Sequence, residues 1–167
     1  NHNDGTLSAG SAGLMPMWTV GHSGSALRFS GGDLWTDGGA VVVPDSPSLN
    51  ITGPFEVEAW IKATGTNNYH CIVDRYYETQ ALWDQTNSGY GFTLYLTQGI
   101  LRFSLYCGTN GSTEVWGWAG GELRDTNWHH VAGVWDGTNL LAYVDFTEAG
   151  RALWTIDPGS TNCNLGI

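Results

Sequence analysis

The clearest order in this chain has period two. From Pro54 to Lys62, the residues Phe55, Val57, Ala59 and Ile61 alternate with Glu56, Glu58, Trp60 and Lys62. Successive side chains of an extended strand point to opposite faces, so the pattern predicts a strand with one dry and one wet side. Ser25–Ser30 alternates likewise, and Ala40–Val43 is a short apolar run stopped by Pro44. Phe92, Leu94 and Leu96 lead through Gln98-Gly99 to Leu101, Phe103 and Leu105, a hairpin with glycine at its turn. His129–Trp135 and Leu140–Phe146 flank Asp136-Gly137-Thr138-Asn139, where the Asp-Gly pair predicts a second hairpin. Strands over Arg151–Ile156 and Cys163–Ile167 complete a set of roughly ten, with no amphipathic helix between them. The pattern is that of an all-β antiparallel sandwich or barrel. It lapses between Tyr76 and Ser88, and loops of that length in a small domain more often carry function than mere connection.

Composition narrows the class. The 167 residues suit a single domain spanning 1–167, with no linker or low-complexity block to divide it. Gly, Trp and Tyr are abundant while lysine occurs once, at Lys62, so strand and turn formers dominate helix formers. The formal charge of −10 argues against nucleic acid or an anionic membrane surface as partner, since both require clustered Lys and Arg. No apolar run reaches the roughly 18 residues of a membrane span, and no leader stands ahead of Asn1, so export is an inference from class.

Several phrases, in order, resemble the laminin G-like, concanavalin A-like lectin/glucanase superfamily: NHNDGTL at 1–7, GSALRFSGG at 24–32, VVVPDSPSLN at 41–50, PFEVEAWIK at 54–62 and NWHHVAGVWDGTNLLAYVD at 127–145. The resemblance implies a two-sheet antiparallel jelly-roll sandwich of concanavalin A-like type. It also implies a secreted or cell-surface module that binds glycan or extracellular protein, in some members with Ca²⁺. Two departures stand out. The family's strand ahead of the first loop and its returning G-x-I-D-E-V-R strand are missing, which would leave sheet edges open to pairing with another chain. The family's Y-V-D-G turn here reads Tyr143-Val144-Asp145-Phe146, which predicts a looser turn.

Candidate chemistry follows from both sources. Related glucanases carry an E-x-D-x-E strand, and a retaining glycosidase needs two carboxyl groups roughly 5 Å apart. Glu56 and Glu58 share a face, but the third position is Trp60, whose indole is no proton donor near neutral pH, so hydrolysis is disfavoured. His129 and His130 are adjacent and must face opposite ways, one inward and one outward, so they cannot chelate one ion together. Trp35, Trp128, Trp135 and Trp154 lie in or beside strand patterns and read as packing residues. Trp116 and Trp118, two apart, form an aromatic strip, and Tyr76, Tyr77 and Trp83 occupy the long loop; these five are the candidate ligand-binding residues, with simple packing as the alternative. Asn3, Asp4, Asp33 and Asp37 are oxygen donors on loops that could hold Ca²⁺ or simply make turns. Cys71 and Cys107 each lie in or at the end of a core strand, and an exported chain would join them in a disulfide, leaving Cys163. Three functions remain open: a non-catalytic binding module, a structural subunit that self-associates through its edges and, least supported, a glycosidase.

Overall fold

The structure, a computed structural model, describes residues 3–10, 13–30, 39–44, 46–49, 51, 53–64, 69–78, 89–107, 112–117 and 122–155. The chain divides into two compact units, Asn1–Leu49 and Asn50–Ile167.

In the smaller unit, β1 (Thr6–Ser8) pairs antiparallel with β4 (Ala40–Val42), and β2 (Met17–Val20) pairs with β3 (Ser25–Arg28). The β2–β3 hairpin closes with Gly21 N–H donating to the Gly24 carbonyl at 2.9 Å. A single 3₁₀ turn, Pro47–Leu49, follows, held by Leu49 N–H on the Ser46 carbonyl. Met17, Trp18 and Val20 are all exposed, so β2 shows no alternation of burial.

The larger unit holds two four-stranded antiparallel sheets. One is ordered β12 (Thr147–Leu153), β11 (Asn139–Val144), β10 (His129–Trp135), β5 (Phe55–Ile61); the other β6 (Tyr69–Glu78), β7 (Gly89–Thr97), β8 (Ile100–Cys107), β9 (Ser112–Gly117). Their inner rows meet in one core. Phe92, Leu94, Leu96, Leu101, Phe103 and Leu105 of the second sheet pack with Val131, Trp135, Leu140, Ala142 and Val144 of the first. Each fully buried Leu or Phe contributes roughly 2 kcal/mol of burial, which makes this row the main source of stability. β5 closes the core with Phe55, Val57, Ala59 and Ile61, in strict alternation with exposed Glu56, Glu58 and Trp60. The sheets approach closely at Gly133, where a Cβ would lie 2.5 Å from the Phe103 ring. Only glycine fits there. The all-β jelly-roll sandwich expected from the sequence is thus the fold observed.

Three expectations need correction. First, Tyr76 and Tyr77 belong to β6 rather than to a loop: Tyr76 pairs with Gly91 and Tyr77 with Tyr90. Second, Cys71 and Cys107 form no disulfide, and Cys71 is a free thiol. Cys71 stands opposite Tyr95 and Cys107 opposite Tyr90, on the two flanks of β7. Standard strand spacings put their Cα atoms on the order of 19 Å apart, far beyond the roughly 7 Å a disulfide spans. Third, the turn after β11 is tight rather than loose. Val144 pairs directly with Thr147, and Asp145 and Phe146 both take positive φ, 48° and 64°. This is the two-residue hairpin turn normally written with Asn-Gly or Asp-Gly.

Candidate functional site

Of the residues expected to bind a ligand, Trp83 and Trp118 lie outside the described residues, and Cys163, Asp33, Asp37 and Trp35 do too. The backbones of Tyr76 and Tyr77 run at the end of β6, and Trp116 sits on β9 opposite Arg102. Among the calcium candidates, Asn3 and Asp4 are described, and Asn3 Oδ1 already accepts a hydrogen bond from Ser48 Oγ at 3.1 Å. Among the described residues no cluster of three or more His, Cys, Asp or Glu is placed to hold a metal ion. Trp135 and Trp154 are packing residues, as expected.

The second sheet carries a polar and aromatic outer row. Tyr69 stacks on Tyr95 at 4.7 Å, and Thr93 Oγ1 donates to Asp74 Oδ1 at 3.4 Å. Burial pushes the Tyr69 phenol and the Asp74 carboxyl up. Burial, and then Asp74, push the Cys71 thiol up to about 11, which disfavours the thiolate that a nucleophile requires.

The first sheet presents a different constellation at the end where β5, β10 and β11 meet. Trp60 and His130 are direct cross-strand partners, hence on one face. His130 Nε2 is 2.9 Å from Glu58 Oε2, and the Phe146 ring lies flat on the imidazole, centroids 4.3 Å apart and planes 13° apart. The Trp60 indole stands across both, 68° from His130 and 69° from Phe146. Covered in this way His130 is only 7% exposed, whereas Phe146 is 71% and Trp60 41% exposed. His129 and His130 do face opposite ways, but the outward ring is the more buried, because Phe146 and Trp60 lie over it.

The turn that displays Phe146 is braced by its neighbour. Asp145 N–H donates to the His130 carbonyl at 2.8 Å, Asp145 Oδ1 accepts from His130 N–H at 3.0 Å, and Oδ2 meets His129 Nδ1 at 2.9 Å. The other ring nitrogen of His129 meets Asp125 Oδ1 at 3.1 Å. Partial burial of His129 opposes its charge, but the two carboxylates outweigh this and raise its pKa. Asp125 is held at about 2, chiefly by the Asn127 backbone and side-chain amides and then by His129. For Asp145, burial opposes ionisation, but His129 and the His130 amide lower the pKa overall.

Trp60 and Phe146 were therefore missed as site residues. The signals were present: Trp60 at an outward strand position, and Phe146 where a turn of this length calls for glycine. An aromatic platform flanked by a carboxylate can stack on a ligand and orient it by hydrogen bonding. Glu58 is engaged by His130, and the third position of its row is Trp60.

The family model for the concanavalin A-like lectin/glucanases superfamily matches residues 36–165. A search of the curated proteins found no match. Among solved structures, the binding domain of the Paraclostridial mosquitocidal protein 1 is similar at TM-score 0.61 and 12% identity, over 90% of this chain and 36% of that one. The binding domain of botulinum neurotoxin DC, solved with rat synaptotagmin II, is similar at TM-score 0.61 and 15% identity, over 97% of this chain and 37% of that one. A botulinum neurotoxin type C structure, described as dependent on two ganglioside molecules for cell entry, is similar at TM-score 0.60 and 14% identity, over 90% and 34%. The chain spans about a third of the length of each. At these identities the likeness is one of fold.

Proposed function

The chain belongs to the concanavalin A-like lectin/glucanases superfamily, and from that premise we propose that it is a non-catalytic extracellular binding module, recognising a glycan or a surface protein. The observation that carries the proposal is the pair Trp60 and Phe146, large apolar rings held at the protein surface beside the Glu58 carboxylate. Exposed aromatic groups gathered on one face mark interaction surfaces. That several structural neighbours are themselves binding domains supports the class and leaves the ligand open. The test is a panel of immobilised glycans and cell-surface extracts probed with wild type and Trp60→Ala: saturable binding lost in the variant supports the reading. Binding that Trp60→Ala leaves intact moves the site elsewhere, to Trp83, Trp116 and Trp118.

Ca²⁺ at Asn3, Asp4, Asp33 and Asp37 is an optional part of this proposal. Binding strengthened by Ca²⁺ and reversed by EDTA would support it, and indifference to both would remove it. A second reading, a self-associating structural subunit, draws on the exposed Met17, Trp18 and Val20 of β2. Light scattering across a concentration series separates the two, since the subunit reading requires assembly without any added ligand.

A further inference from the structure

The binding corner has a shape and a charge that select among ligands. Phe146 lies on the imidazole with one face, and at 71% exposure its other face meets solvent. Trp60 stands at 69° to it with ring centroids 6.0 Å apart and borders the stacked pair, so the two exposed rings meet at a corner. The negative faces of such rings attract cations, and Trp is the strongest of the aromatic side chains in this role. Charge at the corner has the complementary sign. Glu58 borders it directly and Glu56 follows on the same exposed row of β5, while Lys62 stands next to Trp60 on its other side; Asp145 and Asp125 hold His129, which faces the other side of the sheet. Beneath Phe146, Nδ1 of His130, a side chain more than nine-tenths buried, has no hydrogen-bond partner among the described residues.

The backbone adds an independent observation. Phe146 is held at φ +64°, a region that disfavours every L residue and that glycine enters freely. An exposed phenylalanine contributes little to a core, so strain kept at this position points to a role for the ring itself. Anionic glycans are disfavoured by Glu58 and Glu56, and a neutral sugar can donate hydroxyls to Glu58 but leaves its charge unneutralised.

We infer that the Phe146–Trp60 corner, with Glu58 beside it, receives a cationic side chain, arginine or lysine, from a basic segment of a partner protein. The aliphatic stem lies along Phe146, the charged head faces the indole, and Glu58 Oε1, the oxygen not bonded to His130, accepts from the head group. This rests on the binding-module reading and names its ligand class.

The test uses hexa-arginine peptide as probe, with cellohexaose and a heparin hexasaccharide as alternatives, measured by calorimetry on the whole chain. Hexa-arginine is expected to bind saturably, with affinity at least tenfold lower in Phe146→Gly and in Trp60→Ala. Glu58→Gln should weaken binding and flatten its salt dependence, whereas Glu148→Gln, the same charge change out on β12, should not. Phe146→Gly relieves the backbone strain, so a melting temperature kept within a few degrees shows that its loss of binding is not unfolding. Equal losses in Glu58→Gln and Glu148→Gln would mean diffuse attraction of a polycation and overturn the site. If cellohexaose or the heparin fragment binds, and Phe146→Gly and Trp60→Ala abolish it while hexa-arginine is indifferent, the cationic class is overturned and the binding-module reading stands. If none of the three probes binds, the cationic site is overturned as well, and the glycan and extract panel with Trp60→Ala then decides the binding-module reading separately.

Discussion

Two hairpin turns in the larger unit have the same backbone and different chemistry. Gln98-Gly99 joins β7 to β8 with φ of 52° and 78°; Asp145-Phe146 joins β11 to β12 with φ of 48° and 64°. At the second central position the first turn has glycine, which adopts the conformation without strain, and the second has a bulky aromatic residue, which does not. Glycine at 99 is also required by space, because a Cβ there would approach Glu122 Cβ at 2.8 Å and Arg124 Nε at 2.9 Å. Phe146 instead has room to lie over the His130 ring with its outer face in solvent, and Asp145 carries three hydrogen bonds that brace the turn against its strain. One turn is optimised for folding. The other carries an aromatic residue at positive φ, its ring exposed beside Trp60.

The comparison is tested most severely by exchanging the two residues. Gly99→Phe combines left-handed strain with a clash against the 122–124 segment, and should destabilise by about 3 kcal/mol, lowering the melting temperature by roughly 6–12 °C. A loss under about 1 kcal/mol, measured by urea unfolding, would show that such turns tolerate aromatic residues freely and would remove the argument from strain at Phe146. Asp145→Ala comes next. It leaves the partly buried His130 N–H without its acceptor and strips His129 of one carboxylate, and should cost about 2 kcal/mol. Its structural mark is release of Phe146 from the imidazole, visible as loss of ring-current shifts on His130. Phe146→Gly should change stability by about 1 kcal/mol or less, because relief of strain offsets the lost ring stacking. A destabilisation of about 3 kcal/mol would mark Phe146 as a structural residue.

The strands that could be read from the sequence are those with one face in the common core. β5, β7, β8, β10 and β11 alternate because each contributes a row to it. β6 was obscured by a bulge: the register slips between Cys71 and Val73, so residues before and after it follow opposite phases of the alternation. β2 has no buried row at all, and β1 is three residues long, so period two had nothing to act on. The proposed disulfide failed because strand membership says nothing of register, and register set the two cysteines on opposite flanks of β7. The site was half legible. The substitution of Phe146 into a glycine turn was visible, but its consequence depended on Asp145 reaching His129 and His130, residues 15 and 16 positions away. Without that brace, a looser turn was the natural expectation.

The smallest effect concerns protons, and it separates the braced turn from the plain one, which has no histidine at its tip. His129 faces Asp125 from the loop before β10 and Asp145 from the end of β11. As an imidazolium it donates to both; as a neutral ring it has one N–H and must give up one carboxylate. Its pKa is raised in the folded chain despite the opposing effect of burial, so the clamp's contribution is complete below the unfolded value of about 6.5 and is lost as pH rises through the folded one. On the acid side the carboxylates act in the opposite sense. Both are lowered, Asp125 to about 2, so their contribution is present above the unfolded value of about 3.9 and is lost only as pH falls through the folded ones. The brace on Phe146 should therefore be firmest between roughly pH 4 and 6.5 and slacken in mild alkali. Ring-proton NMR should show His129 titrating above an ordinary histidine, with the Phe146 resonances following it and those of Gly99 unmoved. In His129→Gln the alkaline slackening should vanish. If His129 titrates below 6.5, or Phe146 fails to follow it, the clamp is not what holds the turn.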